Sequence, residues 1–520
     1  MKKEAARAIP TRARSTLSTE VPPVATNKRP VVWSIAGSDS GAGAGLQADL
    51  KALQAFGVHG CTAVAAVTAQ NSVAVTRVEP VSADLLDAQL SAMAQDMPPQ
   101  AIKTGLLGSA DNVRVVSQWI DRLRAQGHAV ALVVDPVLGS TTGAAFANDA
   151  VRQAYVEELL PRATLITPNQ AEAQRLGLAE SAAQQALRAR GVSLCITGGD
   201  ADDAQASDWL CSPQATGWLS LPRVATHHHH GTGCTFASTA AAALASGYCV
   251  ADAVVLAKMA TTHALRHAYA AGQGAGPVQA LPDFAQHIDN LPAFTLPGAA
   301  APLDVHALPS FAHLSNPALG VYPVVDSAAW VRRVLVAGIR TVQLRIKEPN
   351  EPTLATQIAE SIAAANATPR AQLFINDHWQ LALQHGAYGV HLGQEDLEQV
   401  DLQALRQAGV RLGLSTHSYW EVARAWALRP SYIACGPIFA TQSKDMPWIP
   451  QGLDNLRYWA SVLPLPVVGI AGIHVGNVAD VAATGAASAA VISAITKAAN
   501  PEQACAALLQ GFAGGTTRPA

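Results

Sequence analysis

Gly231-Thr232-Gly233-Cys234-Thr235 heads a long alanine-rich run. Two glycines let backbone N–H groups converge, and a helix start adds partial positive charge. The segment therefore reads as an anion hole for a transferring phosphate. Cys234 falls in the first helical turn, where a thiol pKa is lowered, and a thiolate there could deprotonate an incoming hydroxyl. The plainer reading is a glycine turn capping a helix, with an incidental cysteine. A second group lies far along the chain. Asn376-Asp377 closes one apolar run, and Gly393-Gln394-Glu395-Asp396 follows the next. Asp377 and Asp396 could share one Mg2+ and leave positions for phosphate. Gln343, Arg345 and Lys347 alternate, so a strand would point both cations one way. With Lys444 they suit a diphosphate, whereas Thr441, Ser443, Gly472 and Ser493 suit a monophosphate. The plainer reading here is surface charge and turn residues.

These groups need elements that position them. In the first half, Val31–Ala36, Gly60–Val67, Ala101–Thr104, Ala129–Val134, Leu165–Thr167 and Ser193–Thr197 read as strands. Ala48–Ala55 and Asn112–Ala125 read as helices between them, so a mostly parallel sheet covered by helices is expected. Dense glycines at Gly41, Gly43 and Gly45 after the first strand suit close ligand approach, and no Walker-type phosphate loop is present. In the second half, short apolar runs recur at Val321–Val325, Thr341–Leu344, Gln372–Ile375, Tyr388–Leu392, Arg411–Leu414, Tyr432–Cys435, Pro466–Ile470 and Ala489–Ile492. Each is followed by a polar or glycine signal and a helical stretch, which is the count of a (β/α)8 barrel. Barrel chemistry sits at the carboxyl ends of the strands. Here those ends carry Gln343, Arg345, Asn376, Asp377, Ser415, Gly472 and Ser493.

Composition limits the alternatives. The 520 residues are 49% hydrophobic and 14% charged, which excludes global disorder. A net charge of −3 argues against nucleic-acid binding through a broad basic face. The 7 cysteines show no C-x-x-C spacing, so a reducing, cytoplasmic setting is expected and a disulfide framework or zinc site is not. The apolar run from Cys234 to Ala257 contains Ser, Thr, Tyr and Asp252, so it reads as buried helices and not as a membrane span. Residues 1–29 read as a disordered tail, and prolines across 286–318 read as a linker. This leaves domains at 30–285 and 319–515, with a homo-oligomer open.

The first half resembles the ribokinase-like superfamily, and within it the hydroxymethylpyrimidine/phosphomethylpyrimidine kinases. The matching segments are Ala36–Asp49, Thr68-Ala69-Gln70-Asn71, Ile102-Lys103-Thr104-Gly105, Asp135-Pro136-Val137, Thr167-Pro168-Asn169 with Glu172, and His230–Thr235. The resemblance implies two successive ATP-dependent phosphorylations, with Cys234 as base and Gln47 on the aminopyrimidine edge. It also implies Gly231, Thr232 and Gly233 as the anion hole, and Asp135 and Glu172 near Mg-ATP. The family's lysine position near Thr197-Gly198-Gly199 is Cys195 or Ile196 here. Of the run His227–His230, only His230 fits the family pattern.

The second half resembles the thiamine-phosphate synthases. It does so through Tyr322, Gln343–Lys347, Phe374–Asp377, Gly389–Asp396, Gly413–Ser415, Gly436–Phe439 with Lys444, and Val491–Ser493. By that resemblance Asp377 and Asp396 bind Mg2+. Gln343, Arg345, Lys347, Asn376, Ser415 and Lys444 hold the pyrimidine diphosphate. Thr441, Ser443, Gly472, Ile492 and Ser493 hold the thiazole phosphate. The expectation is an α/β chain, a ribokinase-like domain followed by a TIM barrel, acting on small molecules with no nucleic-acid or membrane partner. The rivals are a pyridoxal-type kinase fused to a tautomerase-like barrel, and a ligand-sensing module without turnover.

Overall fold

The structure is a computed structural model that describes residues 28–139, 148–199, 203–296, 298–299, 308–348, 351–440 and 451–516. Two compact units divide it near residue 304.

In the first unit, apolar runs form β1 (Val31–Ser38), β2 (His59–Gln70), β4 (Ala101–Thr104), β5 (Ala131–Val134), β6 (Leu165–Ile166) and β7 (Ser193–Ile196), and the more polar Val75–Pro80 forms β3. β8 (Gln205–Cys211), β9 (Thr216–Pro222) and β10 (Ala293–Phe294) complete a sheet of 10 strands, in the order β10-β9-β8-β7-β6-β5-β4-β1-β2-β3. β1 pairs in parallel with both β2 and β4, and β4 through β7 continue in parallel. The chain thus runs from β1 to one side and returns on the other, so the direction of winding reverses between β1 and β4. Such a switch point opens a crevice beyond the carboxyl ends of the strands. The helix Thr232–Ala245 packs here by a run of small residues. Ala237 and Ala240–Ala243 are fully buried, and their lack of bulk lets the helix approach closely.

In the second unit, β11 (Gly320–Val325), β12 (Thr341–Leu344), β13 (Gln372–Asn376), β14 (Gly389–Leu392), β15 (Arg411–Thr416), β16 (Tyr432–Cys435), β17 (Val467–Ile470) and β18 (Ser488–Val491) close into a parallel barrel. Its interior is filled by aromatic rings. Phe374 meets Tyr432 edge-on at 5.1 Å and lies 5.8 Å from Tyr322. Glycines make the room. A Cβ on Gly389 would overlap the Phe374 ring, and one on Gly413 would overlap the Tyr432 ring.

The span expected as a linker is structured at both ends. Ala293–Phe294 adds an edge strand to the first sheet, where proline-flanked backbone is tolerated. Phe311 is buried beneath the Arg406 guanidinium, 4.5 Å from the ring centre. Ser315 and Asn316 hydrogen-bond Gln372 at the start of β13. Apolar anchors at Phe294 and Phe311 override the proline signal, so each unit extends into the span. Most of the tail assigned to residues 1–29 lies outside the described residues. No described helix is long and apolar enough to cross a membrane.

Gly413→Ala should lower the barrel's stability by about 1–3 kcal/mol, the usual result of overpacking a filled core. Urea unfolding of the full chain would measure it.

Two candidate active sites at the carboxyl ends of parallel strands

The first site is built around a lysine with no solvent contact. Lys103 on β4 places Nζ 2.9 Å and 3.0 Å from the two carboxylate oxygens of Asp49, which is equally buried. Ser34 Oγ on β1 and Ser238 Oγ on the helix Thr232–Ala245 also donate to Asp49, at 2.6 Å and 2.8 Å. Asp135, just past β5, lies 3.7 Å from Lys103 Nζ. Burial opposes the Lys103 charge, but Asp49, Cys234 and Asp135 hold the ammonium above its ordinary range. Burial raises the Asp135 carboxyl to about 6, with Lys103 limiting the rise.

Cys234 faces this cluster, and here the sequence expectation is corrected. It sits in the first turn of its helix and is half-buried by the surrounding chain, yet desolvation pushes the thiol up to about 12. The Asp49 and Asp135 carboxylates add to the rise, while the Lys103 ammonium and the Gly45 amide oppose it. Desolvation and two anions outweigh one helix end.

The glycine loop between β1 and the helix Gly45–Phe56 is organised by Asp39. Its carboxylate accepts from the amides of Gly41, Gly43 and Ala44 at 2.7–2.9 Å, and its Oδ2 lies 3.1 Å from His230 Nε2. Burial would raise this carboxyl; His230, Ala44, Gln70 and Gly41 outweigh it and hold it at about 2. Gln47 is part of the same frame, since its Oε1 accepts from the Asp39 amide at 2.9 Å. Gly231 has φ +88°, and a Cβ there would overlap the Gly43 carbonyl, so the glycine loop and the turn before Cys234 touch backbone to backbone. The histidine run is part of this packing. His230 reaches Asp39, and His228 Nδ1 accepts from the Gly276 amide at 3.1 Å. Glu172 is engaged in a capping box with Asn169, and its Oε1 accepts from the Leu138 amide at 3.3 Å. Cys195 is buried on β7. Beyond it the Gly198 amide donates to Asp208, whose other oxygen is 2.9 Å from Lys258 Nζ.

The second site lies at the carboxyl end of the barrel. Asp377 follows β13 with φ +62°, and its amide donates to the His391 carbonyl at 3.1 Å. Its carboxylate lies beside that of Asp396, whose Oδ2 accepts from the Gly393 amide at 2.8 Å. Burial and then the Asp396 charge raise the Asp377 carboxyl to about 6, against the pull of Arg345. Two carboxylates pressed together in this way fit a hard divalent cation with oxygen ligands. Gln343 on β12 and Asn376 on β13 are buried, and Ser415 on β15 is bonded to His391. Arg345 is half-buried and Lys347 exposed. Both lie beyond the end of β12 at Leu344, so the strand alternation expected to aim them together does not reach them. Gly472 packs on Phe439 and the Ala440 carbonyl, after β17. Ile492 and Ser493 follow β18, with Ile492 exposed. Thr441, Ser443 and Lys444 lie outside the described residues.

Sequence reasoning passed over Asp49, Lys103 and His391 as functional candidates. The signal was available: Lys103 and His391 each interrupt a short apolar strand, and a buried ionisable group requires partners.

If burial controls Cys234, its alkylation by iodoacetamide should be slow at neutral pH. The rate should still be climbing at pH 9, as read by mass spectrometry of the Cys234 peptide. A plateau below pH 8 would restore the lowered thiol pKa.

Residues 39–279 match the family described as phosphomethylpyrimidine kinase, and residues 321–495 match that described as thiamine monophosphate synthase. The thiamine-phosphate synthase of Serratia proteamaculans is 55% identical over 197 residues, which is 37% of this chain and 91% of that protein. That of Pectobacterium atrosepticum is 52% identical over 198 residues, 38% of this chain and 92% of its own length. Among solved structures, the pyridoxal kinase of Staphylococcus aureus in complex with ADP is 30% identical, covering 48% of this chain and 93% of that one at a TM-score of 0.43. The phosphomethylpyrimidine kinase of Clostridium difficile is 29% identical, covering 46% and 100% at a TM-score of 0.39. Through its barrel the chain belongs to the thiamine-phosphate synthase family, and with the phosphomethylpyrimidine kinase domain that precedes the barrel it is a bifunctional enzyme of thiamine biosynthesis.

Proposed function

We propose that the first unit transfers phosphate from ATP to a hydroxymethyl aminopyrimidine and then to its monophosphate. The second unit joins the resulting diphosphate to a thiazole phosphate. The observation that carries the barrel's part is the Asp377–Asp396 carboxylate pair beside Arg345. A tautomerase would have no diphosphate to bind and no use for a paired-carboxylate cation site.

In the kinase, Cys234 takes the proton from the attacking hydroxyl as its oxygen bonds to the γ-phosphorus and ADP departs. Cys234 acts as the thiolate, its own proton having passed to solvent before the hydroxyl is engaged; Lys103 is the neighbouring group that favours that form. The Gly231, Thr232 and Gly233 amides receive the transferring phosphate. Gln47, held by the Asp39 amide, offers its side chain to the aminopyrimidine edge. Asp135 is placed to serve Mg-ATP. Glu172, already engaged by the Asn169 and Leu138 amides, shapes the nucleotide side of the site.

In the synthase, Asp377 and Asp396 would hold Mg2+, which when bound neutralises charge on the leaving diphosphate. Gln343, Asn376 and Ser415 orient the pyrimidine diphosphate, with Arg345, Lys347 and Lys444 as its cations. Thr441, Ser443, Gly472, Ile492 and Ser493 receive the thiazole phosphate. The methylene C–O bond breaks with its electron pair leaving on the diphosphate. The thiazole nitrogen then bonds to the electron-deficient carbon. No side chain need act as nucleophile, so the residues contribute position and charge stabilisation.

Two variants test the division of labour. Cys234→Ala should abolish ATP-dependent phosphorylation yet leave condensation of supplied pyrimidine diphosphate intact. Asp396→Ala should do the reverse, losing at least about a hundredfold in condensation, as expected when a charge-stabilising group at the leaving oxygens is removed. Unchanged kinase turnover in the first variant would remove the assigned base; unchanged condensation in the second would remove the metal site.

A further inference from the structure

Gln343 and Ser415 stand on β12 and β15, separated by two strands of the barrel wall. A chain of hydrogen bonds joins them through the interior. Gln343 Nε2 donates to Tyr322 Oη at 3.4 Å, and the Tyr322 and Tyr432 hydroxyls are 2.8 Å apart. Tyr432 Oη is 2.7 Å from His391 Nδ1, and His391 Nε2 is 2.8 Å from Ser415 Oγ. Gln343, Tyr322, Tyr432 and His391 are all buried.

The protons of this chain have one consistent order. An amide nitrogen can only donate, so the Tyr322 hydroxyl accepts from Gln343, and Tyr432 Oη is the acceptor in the chain left for the Tyr322 proton. Tyr432 in turn donates to His391 Nδ1. A neutral imidazole carries one proton, which must then sit on Nε2 and be donated to Ser415 Oγ. The Ser415 proton has no place inside the chain and must be given to a group outside it. The reverse order would aim the Tyr322 proton at a donor nitrogen.

We propose that His391, oriented by Tyr432 and Tyr322, is a positioning residue that fixes the Ser415 hydroxyl as a hydrogen-bond donor to an oxygen of the departing diphosphate. This rests on the reading of Ser415 as a pyrimidine-diphosphate contact. Negative charge on those oxygens grows as the methylene C–O bond breaks. A donor held in advance therefore stabilises the transition state more than the bound substrate. A hydroxyl free to rotate would present its lone pairs for part of the time. The chain is held by aromatic packing: Tyr322, Phe374 and Tyr432 form a contiguous cluster, with Gly413 making way for the Tyr432 ring.

The test is a double-mutant cycle on the full chain, supplied with pyrimidine diphosphate, thiazole phosphate and Mg2+. Ser415→Ala should lower kcat about tenfold or more with a smaller change in KM, the mark of an interaction made in the transition state. Tyr432→Phe should lower kcat by about threefold to tenfold in the native background and add almost nothing to Ser415→Ala, because coupled residues are non-additive. His391→Gln, whose amide nitrogen can stand near Nε2, should retain more activity than His391→Asn. Equal losses from Tyr432→Phe in both backgrounds, or losses confined to KM, would overturn the proposal while leaving Ser415 in its site. Unchanged kcat in Ser415→Ala would instead overturn the reading beneath it. A measurement on the unaltered chain stands apart from any folding defect. Nitrogen-15 NMR of labelled histidine should show His391 neutral and protonated at Nε2, and protonation at Nδ1 would contradict the proton order.

Discussion

A lysine ammonium with no access to water, bonded to the Asp49 carboxylate with that of Asp135 nearby, is the constraint on which the first unit depends. Lys103 and Asp49 tie β4 to the helix Gly45–Phe56, while the hydroxyls of Ser34 and Ser238 tie the same carboxylate to β1 and to the helix that carries Cys234. Four elements meet at one salt bridge. Breaking a buried pair by removing one partner typically costs about 3–5 kcal/mol, because the other charge is left uncompensated. The pair therefore works as a fixed point, and Cys234 reads its field. The barrel shows the complementary arrangement. Asp377 and Asp396 press two carboxylates together with Arg345 nearby, so the site favours an arriving cation.

Both sites lie beyond the carboxyl ends of parallel strands, for different topological reasons. In the first unit the winding reverses between β1 and β4, and the crevice opens there. In the second, closure of the barrel brings the ends of β12, β13, β14 and β15 around one mouth. In each, a small residue admits a larger neighbour. Gly231 lets the turn before Cys234 meet the glycine loop, and Gly413 lets the Tyr432 ring fill the barrel.

Much of this was legible in the sequence. All eight barrel strands and the six parallel strands of the first sheet announce themselves as apolar runs, because strands buried on both faces carry little else. The antiparallel strands β3, β8, β9 and β10 did not. Stretches such as Gln205-Ala206-Ser207-Asp208 alternate in polarity and resemble loops. Prolines at 292, 297 and 302 concealed the anchoring of Phe294 and Phe311. The raised Cys234 thiol was not legible, because its helix position is visible in one dimension while its desolvation and its carboxylate neighbours are not. The pairing of Lys103 with Asp49, and the Tyr322–Tyr432–His391 chain, join residues far apart in sequence whose contact only the fold creates.

The two chemistries meet in their intermediate, since the diphosphate made by the kinase is the substrate of the barrel. The most direct measurement supplies the purified chain with the aminopyrimidine alcohol, thiazole phosphate, ATP and Mg2+, and follows thiamine phosphate. Formation of thiamine phosphate, with two ATP consumed for each molecule formed, is the result this account predicts. No product, even when pyrimidine diphosphate is supplied directly, would contradict it.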